Sequence, residues 1–249
     1  MTRFMCQHLI ARFCVAALVA IACMAAKPIE TPSVEHWQVV LVAGDTAQPV
    51  FDDAVKAIGM WLVEHGVARG DIHRLAASAG PRDPSIEPAT LERVLGRIAS
   101  LHGSPGEGCF VFITSHGAHG LGVYLSRRDQ MLTPAPLARA LSAGCGAVPT
   151  VVVVSACYSG SFARGMAAPN RIILTAARAD RPSFGCAAGR TYTDYDACLL
   201  GALPHAETWR GVFDDTKGCV ERRERQENDL PSHPQALFGT AVRNLALQF

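Results

Sequence analysis

The sequence predicts an α/β protein with a mostly parallel sheet of about six strands and helices on both faces. Two observations carry this. Short runs rich in Val, Ile and Phe recur along the chain and stop at small or reactive residues, as in Val151-Val152-Val153-Val154-Ser155. Runs that short and that apolar are buried parallel strands rather than helices. Between them lie segments with apolar residues at helical spacing, and strands alternating with helices imply crossover connections and a sheet covered on both sides.

The elements follow in order. Residues 37–43 are apolar and end at Gly44-Asp45, a strand and its turn. Residues 50–65 have helical spacing, with Gly66 as the stop. Residues 71–76 form a weaker second strand. Residues 77–88, with Gly80, Pro81, Asp83 and Pro84, read as a loop. A helix over 89–101 leads through Gly103-Ser104-Pro105-Gly106 into the strand Cys109-Phe110-Val111-Phe112-Ile113-Thr114. Residues 121–125 make a short outlying strand and 135–143 a helix. Residues 151–155 are the fourth strand, followed by a helix over 161–168 and a fifth strand over 171–175. Helices are expected at 195–203 and 206–225, with the charge-dense stretch 221–227 as a solvated face. After a loop at 229–234 a last helix is expected.

The chain of 249 residues is 49% hydrophobic and 18% charged, which suits one globular domain with a proper core. Net charge is +1 and no basic stripe is present, so nucleic acid is not an expected partner. Residues 1–26 read as a signal peptide. Arg3 and Arg12 supply the charge, 13–22 the apolar stretch, and Cys23, Ala25 and Ala26 the small residues. Ala20-Ile21-Ala22-Cys23 also resembles a bacterial lipoprotein signal, with Ala where Leu is usual, so Cys23 is a candidate lipidation site. Export to the periplasm, free or membrane-anchored, is the expectation. Residues 27–36, with Pro28 and Pro32, form a linker, and 37–249 the folded domain.

Two strand ends carry candidate chemistry. Open α/β sheets place their chemistry beyond the carboxyl ends of the strands. His116 follows one apolar strand and Cys157 the next. Each alone is weak, since a lone Cys at a strand end is more often a buried thiol. Together they are a base and a nucleophile on neighbouring strands. A helix starting near Ser159 would turn its positive end toward the sulfur. Gly117 lacks a Cβ, so its N–H, with that of Cys157, can form an oxyanion hole. His119 rivals His116, which directly follows the strand and precedes Gly117. Tyr158 lines the site or packs.

Cys109, Cys145, Cys157, Cys186, Cys198 and Cys219 lie beyond the leader. With Cys157 free, at most two disulfides form and one thiol stays unpaired. Cys186 and Cys198 are the expected pair, and Cys109 reads as a buried small hydrophobe.

The His116-Gly117 and Ala156-Cys157-Tyr158-Ser159-Gly160 blocks resemble the strand-end His-Gly and Cys of caspase-type peptidases. The legumain family resembles the chain more closely. Its resemblance extends to the strand ending at Gly44 and to Leu174-Thr175-Ala176-Ala177. It also takes in Ser183-Phe184-Gly185-Cys186, Thr191-Tyr192 and Ser232-His233-Pro234-Gln235. That resemblance implies a caspase-like three-layer sandwich and a cysteine endopeptidase acting on polypeptides without cofactor, with His116 and Cys157 catalytic. It also implies a specificity pocket of an Arg, a Ser and an Asp. Ser183 matches the Ser region and Asp194 the Asp, with Asp196 the alternative if the register slips. Asp52 or Asp53 stands where the family has Arg. If Asp52 and Asp194 both face the pocket, it would favour Lys or Arg by charge. Alternatively, Asp52 and Asp53 simply favour a helix N-terminus.

Two other functions compete. A transpeptidase would resolve the same acyl-enzyme with an amine, and a silent relative would bind without turnover. Val42-Ala43-Gly44-Asp45 is not a dinucleotide fingerprint. Tyr158-Ser159-Gly160-Ser161 lacks the first Gly of a serine-hydrolase elbow, and the cysteines lack C-x-x-C metal spacing.

Overall fold

The computed structural model describes residues 32–80 and 83–249. The expected signal peptide, the Cys23 lipidation site and residues 27–31 of the linker lie outside the described residues. No helix among the described residues is long and apolar enough to cross a membrane.

The centre is a seven-stranded sheet built from β1 (His36–Ala43), β2 (Ile72–Ala76), β3 (Ile86–Pro88), β4 (Glu107–Thr114), β8 (Thr150–Ser155), β9 (Arg171–Thr175) and β10 (Gln235–Phe238). Its order is β10-β9-β8-β4-β1-β2-β3. All neighbours are parallel except β10, which runs antiparallel to β9. A second, antiparallel sheet of β5 (Gly117–Ala118), β6 (Gly122–Leu125) and β7 (Gln130–Leu132) follows β4 directly.

Helices cover both faces: α1 (Val50–Glu64), α2 (Leu91–Ala99), α3 (Pro134–Gly144), α4 (Gly160–Gly165), α5 (Asp194–Ala202) and α6 (Trp209–Glu227). Side chains alternate across a strand, and this splits the core in two. Val39, Leu41, Phe110, Phe112, Val151 and Val153 pack with α1, α5 and α6. Val40, Val42, Val111, Ile113, Val152 and Val154 pack with α2, α3 and α4. A strand buried on both faces must be apolar at every position, which is why these runs carry no alternation of polar residues.

Four strands were not foreseen: β5 and β7 of the small sheet, and β3 and β10 of the large one. Residues 77–88 end in β3, a three-residue edge strand whose Pro88 is tolerated because an edge need not donate on both sides. The expected last helix is instead β10 and a series of turns. Ala236, Leu237, Val242 and Leu245 imitate a helical period, but 235–238 complete the ladder on β9. Gly239 then packs so tightly on Pro169 that a Cβ would lie 2.3 Å from its carbonyl oxygen.

The disulfides also differ from expectation. Cys109 on β4 is bonded to Cys145 at the end of α3, and Cys198 on α5 to Cys219 on α6. Cys186 and Cys157 are free. The α5–α6 packing brings the Cys198 and Cys219 Cα atoms to 5.6 Å, within disulfide reach, whereas Cys186 lies on the loop beside Cys157. Sequence proximity favoured Cys186, and helix packing decided for Cys219.

Candidate active site

Because the strands are parallel, β1, β4, β8 and β9 end at one edge of the sheet, and the candidate residues lie just beyond it. β4 and β8 are neighbours, and their last residues, Thr114 and Ser155, pair in register. His116 and Cys157 each come two residues later. Ser115 N donates to Ser155 O at 3.1 Å and keeps the two chains together past the last rung.

Gly117 crosses directly over the nucleophile turn. A Cβ there would lie 2.1 Å from the Cys157 carbonyl oxygen and 3.2 Å from the Ala156 Cβ, so only glycine fits. Tyr124 N donates to His116 O at 2.9 Å, which makes 116/124 a hydrogen-bonded pair of the small sheet. The next pair, Gly117 with Val123, therefore is not one, and the Gly117 N–H points away from β6. The His116 ring meets Phe51 of α1 edge to face, with centroids 5.2 Å apart. His119 is exposed and stands against Tyr158 instead.

The nucleophile turn is held from several sides. Tyr158 adopts φ 60°, the left-handed region that bulky residues rarely occupy. Its N–H donates to Arg181 O at 2.8 Å, and Ser159 Oγ accepts from Ala177 N at 3.2 Å. The loop after β9 is thus tied to the turn. It is tied in turn to the Ser232 block, whose carbonyl accepts from Arg178 N at 2.9 Å and whose N–H donates to buried Glu224. The helix after Cys157 was expected over 161–168 and spans the six residues Gly160–Gly165.

Ser183 touches the thiol. Its N–H donates to Cys157 Sγ at 3.3 Å, its hydroxyl lies at 3.7 Å, and Sγ donates to its carbonyl at 3.4 Å. Cys157 is half-buried. Burial, and next the neighbouring Cys157, push the Cys186 thiol up from its ordinary value.

Asp194 backs the same loop. It is 2% exposed, and its N–H donates to Phe184 O at 3.1 Å. Its Oδ1 accepts from Arg223 Nη1 at 3.0 Å and Arg190 Nη1 at 3.3 Å, while its Oδ2 is buried without a partner. Asp52 stands in the first turn of α1, with Ser78 and Arg74 near its carboxyl. Burial raises its carboxyl from the ordinary value, while Ser78 and Arg74 oppose that rise. Each of the two carboxylates has cationic neighbours: Arg74 near Asp52, and Arg190 and Arg223 at Asp194. Asp194, Glu227 and Asp229 form the one acidic group among the described residues compact enough for a metal ion. Arg190 and Arg223 already pair with Asp194 and Glu227 of this group.

Asp196 is not a pocket residue. It lies under the sheet edge, fully buried, where Thr114 Oγ1 donates to its Oδ2 at 2.7 Å. Sequence reasoning treated it only as a stand-in for Asp194. The available signal was a hydroxyl residue ending each of two apolar strands, Thr114 and Ser155, at a position that faces the core.

Residues 92–210, which include both strand ends, match the Peptidase C13 family. No curated protein sequence matches the chain. Among solved structures, the crystal structure of caspase-1 from Spodoptera frugiperda aligns with 84% of this chain and 89% of its own. The TM-score is 0.60 at 11% identity, a likeness of fold.

Proposed function

We propose that this chain, a legumain-like cysteine peptidase with the caspase fold, cleaves polypeptides internally through a Cys157 thioester. The observation that carries the reading is the register of β4 and β8, which puts His116 and Cys157 equally far past one paired rung. Cys157 Sγ attacks the scissile carbonyl carbon, and its proton passes to His116. The developing oxyanion takes hydrogen bonds from the N–H groups of Gly117 and Cys157. The tetrahedral intermediate collapses, the C–N bond breaks, and His116 gives its proton to the leaving amine. Water, deprotonated by His116, then attacks the thioester and releases the carboxylic acid and the thiol.

Ser183 and Asp194 supply the pocket in this reading. The unpartnered Asp194 Oδ2 is an acceptor, and Arg190 and Arg223 stand beside it as donors. A mixed site of that kind suits a side-chain amide better than a lone cation. The two disulfides support the oxidising compartment expected from the leader.

The test is cleavage of fluorogenic peptides that differ only at the residue before the cleaved bond. Cys157→Ala and His116→Ala should abolish turnover, and His119→Ala should keep it. An active Cys157→Ala would end the proposal. A preference for Lys or Arg over Asn would reject the mixed pocket while leaving the chemistry intact. The mass of the mature N-terminus decides between signal cleavage and lipid attachment at Cys23.

A further inference from the structure

The carboxyl of Asp196 sits where three elements meet. Thr114, the last residue of β4, donates to it at 2.7 Å. The hydroxyl of Ser155, the last residue of β8, lies near the same carboxyl and favours its charged form. Asp196 N donates to Thr193 Oγ1 at 3.1 Å, the cap that starts α5. Thr114 and Ser155 are paired across the sheet, and each stands two residues before a dyad member. Around them the layer is apolar: Phe112, Val153, Tyr195 and Leu199 belong to the same core. A carboxyl is a costly group to place there, and one oxygen, Oδ1, has no partner. Buried polar groups of this kind are better at specifying one arrangement than at adding stability.

We propose that Asp196 is a positioning residue that sets the His116 strand end against the Cys157 strand end. It acts through the Thr114 and Ser155 hydroxyls and touches neither substrate nor the reacting atoms. Without it, the Thr114 hydroxyl loses its acceptor and Ser155 the carboxyl beside it, and the strand ends are held by the ladder and by the Ser115–Ser155 backbone bond. The same carboxyl links both ends to α5, so the helix that carries Asp194 is registered to the dyad by one side chain. This rests on the peptidase reading for its consequence, but its geometric content can be read without turnover.

The experiment compares the parent chain with Asp196→Asn, Thr114→Val and the double variant. Two readouts are taken: kcat and KM on a peptide, and the iodoacetamide alkylation rate of Cys157 relative to Cys186 in the same molecule. Asp196→Asn should lower kcat roughly tenfold or more, as a sub-ångström to 1 Å misplacement does, with KM within about twofold. It should also change the Cys157-to-Cys186 alkylation ratio, and the double variant should be no worse than the more damaged single. Should Asp196→Asn not fold, Thr114→Val alone must show the same kcat loss and ratio change. A folded variant with parental kcat and alkylation ratio overturns the proposal, as does an additive double variant. A changed ratio in a chain whose parent cleaves nothing would keep the positioning role and reject the peptidase reading.

Discussion

Replacing Gly117 with Ala tests the crossing on which the site depends. The new Cβ would lie 2.1 Å from the Cys157 carbonyl oxygen, and real Cβ atoms essentially never come under 3.0 Å. The contact must therefore open by about 0.9 Å (3.0 less 2.1). The obstacle is backbone, so no side-chain rotation relieves it. His116 and Cys157 both move with it, because the displaced atoms are their immediate neighbours. A misplacement near 1 Å in reacting groups costs about 100-fold in rate, or about 2.7 kcal/mol of transition-state stabilisation. The fold should survive, since overpacking of this kind costs about 1–3 kcal/mol. The assay is kcat/KM on a fluorogenic peptide, with thermal unfolding to confirm the fold. Gly96→Ala on α2 is the control: its Cβ meets nothing within 4 Å, and activity should be unchanged. A folded Gly117→Ala enzyme with more than about half the parental kcat/KM would refute the reasoning.

Three more predictions concern the cysteines and Asp196. Opening the Cys109–Cys145 bond, which closes a separation of 36 residues, should lower the unfolding free energy by about 4 kcal/mol on the chain-entropy estimate. Urea midpoints of the parent and Cys145→Ala check this, and a loss below about 1 kcal/mol would contradict it. Alkylation of unreduced protein followed by peptide mapping should mark Cys157 and Cys186 and leave Cys109, Cys145, Cys198 and Cys219 unmarked; label on Cys198 would reject its pairing with Cys219. Burial holds the Asp196 carboxyl up at about 6, against 3.8 in the unfolded chain. Its stabilisation is full below pH 3.8 and is lost as pH rises through 6, by about 3 kcal/mol. Asp196→Asn cannot ionise, so its stability relative to the parent should rise between pH 4 and 7.5, and parallel pH–stability curves would disprove this linkage.

Much of the architecture was legible because each central strand is buried on both faces. Val151 to Val154 must be apolar throughout, and that pattern shows in one dimension. The dyad candidates were legible for a related reason: polar, reactive residues interrupt those runs where the strands leave the core. Local order also placed α1 and α3 within a residue or two.

What the sequence determined by itself was therefore local: which segments are strands, and where a His-Gly and a Cys follow them. Tertiary structure decided everything that depends on who sits beside whom. It paired Cys198 with Cys219, because helix packing sets the approach of two cysteines and sequence distance does not. It turned residues 235–238 into an edge strand, because β9 offered unpaired backbone that an isolated segment cannot see. It put Asp196 beneath Thr114. A carboxylate's role follows from the charges and hydroxyls around it in space, and those come from elements up to 82 residues away in the chain.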